Sequence, residues 1–274
     1  MKTGTAVAIG DSISLGVGDD GRGSTSDRGW AAHAARALGY GVFVNLSQNG
    51  TRARDLAGDQ VPRALELRPE LVFLTIGGND VLRGDFAPEE VEAATAAAIR
   101  ASRRSGASVV MVTLAPIRLL NHFPSRVADV MAARIGQANA ALCAAALAGG
   151  AAVVDGEAVM RLQGSSAWHI DRIHPSQVGH RALAERAIGL LPQFGPAGEI
   201  PPPDPRPRAV ATAWWVVRNG LPWIAKRSRD LIPQISMVVA RDIRDARIAE
   251  AREARALLDE RGRLRRASTG GTAH

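Results

Sequence analysis

The chain reads as an α/β protein: a flavodoxin-like three-layer α/β/α sandwich on a five-stranded parallel sheet, followed by a C-terminal helical extension. Two observations carry that reading. Short apolar runs alternate with helix-like segments from residue 1 to about 192, the pattern of a parallel sheet covered on both faces. The apolar runs also lack polar alternation, as strands buried on both faces do. A proline-rich stretch, 193–207, then closes the first domain. Beyond it lies a basic segment, 208–274, helical in pieces.

The runs fall at 5–9, 42–46, 71–76, 108–114 and 151–154, each rich in Val, Leu and Ile or in Ala and Val. Helical segments are expected at 29–39, 53–67, 88–105, 125–148 and 176–191. The third has a clear start: Pro88 in the first turn, then Glu89, Glu90 and Glu92 near the positive end of the helix dipole. Gly106 and Gly149-Gly150 supply stops. In such a sheet, functional groups gather at the carboxyl ends of strands. The first run ends at Gly10-Asp11-Ser12, the second near Asn49-Gly50 and the third at Gly77-Gly78-Asn79-Asp80. Three chemically equipped loops are therefore expected at one edge.

Composition narrows the classes. At 274 residues and 46% hydrophobic, the chain can bury a large core. Its net charge of +7 is uneven: residues 1–196 contribute +1 and residues 197–274 contribute +6. The basicity belongs to the tail, so the front domain does not read as a nucleic-acid binder. The single cysteine, Cys143, excludes an internal disulfide or a cysteine metal site, and its alanine-rich surroundings predict a core position. No secretory leader and no run of about 18 apolar residues is seen, so no spanning helix is expected. The expected location is cytoplasmic, with peripheral attachment at the inner membrane face left open.

Ser12, at a strand end, and Asp171-x-x-His174, far along the same domain, are the residues with chemistry. A serine hydroxyl becomes a good nucleophile when an imidazole takes its proton and a carboxylate orients that imidazole. Gly10-Asp11-Ser12, Gly50, Gly77-x-Asn79-Asp80 and Asp171-x-x-His174-Pro175 follow, in order, the blocks of the SGNH (GDSL-type) hydrolases, and the resemblance covers about residues 4–191. It implies a catalytic set of Ser12 as nucleophile, His174 as general base and then acid, and Asp171 as the residue that orients His174. It further implies an oxyanion hole made of the Ser12 and Gly50 backbone N–H groups and the Asn79 side-chain amide. No cofactor and no metal is implied.

Each residue also has a plainer reading. Ser12 suits a helix start, Asp11 a turn, Asn79 and Gly50 tight turns, and Asp80 a structural role. His169 is a second histidine near the motif, without a carboxylate in a comparable position before it; His33, His122 and His180 read as core or surface residues. Gly16-Val17-Gly18-Asp19-Asp20-Gly21 fits a dinucleotide fingerprint on paper. Its two carboxylates would repel a pyrophosphate, and it begins after the serine, so residues 16–28 read as a loop beside the site. Asp19, Asp20, Asp27, Asp55 and Asp59 lack the order of a metal-binding loop.

The expected function is ester hydrolysis through an acyl-enzyme, acting on a lipid, sugar or other small ester. Acyl transfer through the same intermediate is the alternative, as is a non-catalytic membrane scaffold on a retained hydrolase fold. Trp214, Trp215 and Trp223 stand beside Lys226, Arg227 and Arg229. That combination within 208–240 suits an anionic membrane surface or packing on the catalytic domain or a second copy of the chain as a homo-oligomer. Residues 241–266 alternate in charge, as a solvated helix does.

Overall fold

The structure is a computed structural model. It describes residues 2–20, 28–119, 125–195 and 198–204, with single positions at 237, 240, 244, 247, 248 and 255. His122, Asp27, nearly all of the segment 208–274 and the proposed membrane face 208–240 lie almost wholly outside the described residues.

Among the described residues five strands form one sheet: β1 (Lys2–Gly10), β2 (Tyr40–Asn45), β3 (Leu71–Thr75), β4 (Ser108–Val112) and β5 (Ala152–Val154). All neighbours pair in parallel, in the order β2-β1-β3-β4-β5. The helices are α1 (Ser12–Leu15), α2 (Gly29–Ala37), α3 (Gln60–Glu66), α4 (Pro88–Arg104), α5 (Ser125–Gly149), α6 (Gly156–Gln163) and α7 (Gln177–Gly189). Alternate strand residues enter opposite layers. Val7, Ile9, Val72, Leu74 and Met111 pack with Ile99 and Leu142 from α4 and α5. Ala6, Ala8, Phe73 and Val110 pack with Trp30 and Leu183 from α2 and α7. This two-sided burial is why the strand sequences show no polar alternation.

The small Ala6 and Ala8 leave room for Trp30, which is fully buried. Its ring meets Phe73 edge-on at 5.4 Å and its Nε1–H reaches Thr75 Oγ1 at 3.2 Å. The expected helix at 53–67 is instead a 3-10 turn, Ala53–Asp55, followed by α3. Pro62 is the reason: it has no N–H and is tolerated only in a first turn, so the helix must start near Gln60. Helices α1 and α6 were not anticipated. Each is short and opened by an aspartate cap, Asp11 onto Ile13 N and Asp155 onto Ala158 N.

Cys143 is exposed, not buried. The buried stripe of α5 runs through Met131, Ile135, Ala138, Leu142 and Ala145, and Cys143 falls off that stripe. The same helix is long and apolar enough to cross a membrane by length and mean hydropathy, contrary to the expectation that no segment would be. It is a core helix here: it packs against α4, and its Arg134 is buried and donates to the carbonyls of Val81 and Arg83. The segment after α7 lies back on the domain. Phe194 meets Tyr40, Gly198 N donates to Ala37 O, and Asp204 N donates to Gln177 Oε1.

The carboxyl end of β1 is fixed from several sides. Gly10 has φ +125°, and a side chain there would collide with the Thr75 carbonyl, so only glycine fits. β2 has already ended at this level, and the buried Gln60 side chain takes over the pairing. Gly10 N donates to Gln60 Oε1 at 2.6 Å, and Gln60 Nε2 donates to Gly10 O at 3.1 Å and to Thr51 Oγ1 at 3.1 Å. Gln60→Leu leaves Gly10 N without its acceptor, while Gly10 O keeps Gln48 N, and is expected to destabilise the fold by about 2 kcal/mol, read as a lowered urea midpoint with an unchanged m-value. An unchanged midpoint would show that Gln60 does not hold the strand end.

Candidate active site

Ser12 is the first residue of α1, directly after β1, and is buried. Asp11 caps the helix by accepting Ile13 N at 3.0 Å, and Gly16, in the left-handed conformation, ends it after one turn. The short helix presents the serine at the strand end. Burial pushes the Asp11 carboxyl up to about 7, against the backbone N–H groups of Ile13 and Gly78 that favour its charged form. Asp11 thus holds the turn that presents Ser12.

His174 lies across the sheet edge, buried, between Ser12 and Asp171. Its Nε2 is 2.9 Å from Ser12 Oγ and its Nδ1 is 2.8 Å from Asp171 Oδ2. With Nδ1–H donating to Asp171, Nε2 is left to accept the hydroxyl proton. The other oxygen, Asp171 Oδ1, accepts Ile173 N at 2.9 Å and His174 N at 3.0 Å. Burial opposes the charge on Asp171, but hydrogen bonds from His169 and His174 outweigh it and hold the carboxyl well below the ordinary range.

The loop bearing this pair is closed on itself. Trp168 and Pro175 form an antiparallel bridge, His169 N donates to His174 O, and Arg172 N donates to His169 O. Arg172 takes φ +57°, an uncommon conformation for a residue with a Cβ. Pro175 and Ser176 then start α7, with Ser176 Oγ accepting Val178 N and Gly179 N, so His174 stands just ahead of the helix as its following proline requires.

The loops after β2 and β3 meet beside Ser12. Gln48 N donates to Gly10 O, and Asn79 Nδ2 donates to Thr51 O at 3.0 Å. Asn79 therefore touches the turn that contains Gly50, whose φ of +92° is open to glycine at no cost. Asp80 is buried and structural: it takes Ala53 N and the guanidinium of Arg52. A small, mainly apolar hollow is lined by Ile13, Thr113, Met160, Trp168, Ile173 and Pro175 among others, which include the chain neighbours of Ser12 and His174 but not those two residues themselves.

Of the aspartates considered for a metal, the four that are described make other contacts. Asp19 accepts His33 Nε2 and Gly29 N, capping α2, and also meets Arg181. Asp20 pairs with His169, Asp55 with Arg52 N, and Asp59 with Gln48 and Arg63. Among the described residues, no group of three or more His, Cys, Asp or Glu side chains is placed to hold a metal ion. In the dinucleotide-like stretch Gly18 serves close approach instead: a side chain there would collide with the Pro175 carbonyl. His180 is a core residue, accepting Trp30 N and donating to Val17 O, and burial pushes its ionisation down to about 4.

Sequence reasoning missed three supports of this site: Gln60, the Asp19 cap on α2, and the carboxylate partners of His169. His169 does have acidic partners, Asp20 at 2.9 Å and Asp171 at 3.3 Å. The first comes from a loop far away in sequence, which no local spacing reveals.

A profile of the GDSL-like lipase/acylhydrolase family matches residues 8–182. The chain belongs to this family of ester hydrolases. Esterase TesA of Pseudomonas aeruginosa is 37% identical over 114 residues, which is 39% of this chain and 53% of that protein; the match spans about half the length of that relative. A solved structure of TesA is 30% identical, with a TM-score of 0.52, over 69% of this chain and 99% of that one. LAE5, an α/β hydrolase enzyme from the metagenome of Lake Arreo, Spain, is 26% identical with a TM-score of 0.55, over 69% of this chain and 96% of its own. The acetylxylan esterase Axe2 of Geobacillus stearothermophilus, 23% identical with a TM-score of 0.56 over 71% and 95%, shares the fold.

The carboxylates set the acid stability. Asp19 and Asp171 ionise well below the ordinary range in the folded state. Their contribution is present above the unfolded value of about 3.9 and is lost as pH falls below it. Asp11, raised to about 7, acts in the opposite sense, favouring the folded state while protonated. Urea unfolding is expected to show a clear loss of stability between about pH 5 and about pH 2.5, and Asp19→Asn should flatten that loss. A loss of the same size in the variant would contradict the assignment.

Proposed function

We propose that the chain is a serine esterase working through an acyl-enzyme, with Ser12, His174 and Asp171 as its triad. The observation that carries the reading is the hydrogen-bonded row Ser12 Oγ–His174 Nε2, His174 Nδ1–Asp171 Oδ2, at 2.9 and 2.8 Å. As the hydroxyl attacks an ester carbonyl, His174 Nε2 takes its proton. Asp171 keeps Nδ1 protonated and stabilises the imidazolium that forms. His174 then gives that proton to the departing alcohol. A water deprotonated by the same ring attacks the acyl-enzyme and releases the acid.

The tetrahedral intermediate carries negative charge on one oxygen. We assign its stabilisation to Ser12 N–H, Gly50 N–H and the Asn79 amide. Asn79 Nδ2 spends one N–H on Thr51 O and has a second to offer. Removing one such donor elsewhere typically costs about 3–4 kcal/mol of transition-state stabilisation. The small apolar hollow lined by Ile13, Ile173 and Pro175, the chain neighbours of Ser12 and His174, supports a substrate with a small apolar acyl group. Water is the second nucleophile in this reading, which makes the reaction hydrolysis rather than acyl transfer. Two domains, a catalytic one over 1–192 and an extension over 208–274 joined by 193–207, complete the proposal. The tryptophan- and arginine-bearing 208–240 would serve as a contact to an anionic membrane surface from the cytoplasmic side.

A fluorophosphonate probe tests the reading directly. Wild-type protein is expected to label at Ser12 and Ser12→Ala to stay unlabelled; no labelling of wild type, or equal labelling of both, would defeat it. On p-nitrophenyl esters of rising acyl length, turnover should peak at short chains. Asp171→Asn, which leaves the ring in the wrong tautomer, should cut kcat by roughly 10² to 10⁴ with the circular dichroism spectrum unchanged. A loss under about tenfold would remove Asp171 from its role.

A further inference from the structure

The loop of Asp171 and His174 carries a second imidazole with acidic groups at both of its nitrogens. His169 Nε2 lies 2.9 Å from Asp20 Oδ2, and His169 Nδ1 lies 3.3 Å from Asp171 Oδ2. That Asp171 oxygen is the one that also takes His174 Nδ1. A neutral imidazole has one N–H and one lone pair. At Nδ1 the Asp171 N–H also approaches, at 3.5 Å, beyond the usual hydrogen-bond length, while the Asp171 carboxylate oxygen lies closer at 3.3 Å; with a carboxylate oxygen the nearer group at both nitrogens, the arrangement favours protons on both. Burial disfavours the charged ring, yet Asp171 and Asp20 outweigh it and push its ionisation up to about 9. A cation therefore stands beside the triad carboxylate at neutral pH.

The same residue is locked in place by its backbone. His169 N donates to His174 O at 2.9 Å and His169 O accepts Arg172 N at 2.9 Å. Its Cβ lies against Gly18, where any larger residue would press on it. The charged and titratable groups around the ring are Asp20, with Arg28 acting on it from the segment leading into α2, and Asp171, Arg172 and His174 from its own loop.

On the reading that Ser12 is the nucleophile and His174 its base, we propose that His169 is a positioning residue of the triad, clamping the Asp171 carboxylate and tying it through Asp20 to the loop after α1. Geometrically, it completes the restraint on Asp171. Oδ1 accepts two backbone N–H groups, Oδ2 accepts His174 Nδ1 at 2.8 Å, and His169 Nδ1 stands 3.3 Å from the same oxygen, which restrains the carboxylate against turning away from His174. Electrostatically, the His169 cation repels a second positive charge on the neighbouring ring. It thereby favours the neutral, proton-accepting form of His174. Asp20 sustains that cation, so a residue remote from the motif acts on the base through two intermediaries.

The rate of fluorophosphonate labelling reads the state of His174 without knowledge of the substrate, because Ser12 reacts when His174 can take its proton. We expect the rate to rise with pH along an acid limb in the full chain. In His169→Asn the cation is gone, and in Asp20→Asn it is weakened. Both limbs should move to higher pH by roughly half a unit to one unit. Labelling at about pH 6 would then fall roughly 3- to 10-fold and recover near pH 8.5. A role confined to folding would lower the rate at every pH and leave the limb where it was. Ring ¹⁵N shifts of the wild-type chain give a readout that needs no variant: His169 should remain doubly protonated at about pH 7.5. Limbs in both variants that superimpose on wild type, or a neutral His169 ring at neutral pH, would overturn the proposal. Failure of wild type to label at all would overturn the triad reading beneath it.

Discussion

The position of β1 is the constraint on which everything else rests. It is the strand from which the sheet grows in both directions, with β2 on one side and β3 on the other. The connections therefore reverse direction there, and the crevice at such a reversal is where a parallel sheet binds its ligands. Ser12 follows β1, the Gly50 turn follows β2 and Asn79 follows β3, so the three segments meet without any special device. What does need a device is the last residue of β1. Gly10 sits in a conformation closed to other residues, against a carbonyl, with the Gln60 amide replacing the missing neighbour strand. A shift at that residue would move the Ser12 hydroxyl away from the His174 ring 2.9 Å from it.

Charge in this site is arranged by burial and compensated by contact. Asp11 is buried, with backbone donors and the like charge of Asp80 near it, and its carboxyl rises to about 7. Asp171 is also buried, but two rings and two backbone N–H groups reach it, and its carboxyl falls. The histidines divide in the same way. His180 is enclosed among backbone groups and is driven neutral, whereas His169 stands between two carboxylates and is driven cationic. One residue type thus serves as a core hydrogen-bonding unit at one position and as a fixed charge at another. Surroundings, not identity, decide which.

Much of the architecture was legible in the sequence, for physical reasons. Strands buried on both faces leave continuous apolar runs, and all five were readable, though the last is shorter than its run. Ser12, Asp171 and His174 stood out because they fall, in order and at the ends of apolar runs or in loops, in the blocks that resemble the SGNH hydrolases. Less legible were features that depend on distant partners. Asp19 caps α2 from ten residues before it, and Gln60 pairs with a strand fifty positions away. Asp20 reaches His169 across most of the chain. The exposure of Cys143 was misread because an alanine-rich helix gives weak contrast between its faces. The split of 53–67 was legible in principle, since Pro62 limits where a helix can begin.

The central claim is that these separate segments form one working site around Ser12 Oγ. A crystal structure of the chain after reaction with a phosphonate ester tests it most directly. The account predicts phosphorus bonded to Ser12 Oγ, with one phosphoryl oxygen about 2.7–3.1 Å from Ser12 N, Gly50 N and Asn79 Nδ2, and His174 Nε2 facing the remaining ester oxygen. A phosphonyl group on another residue, or one on Ser12 with its oxygen turned away from Gly50 and Asn79, would contradict it.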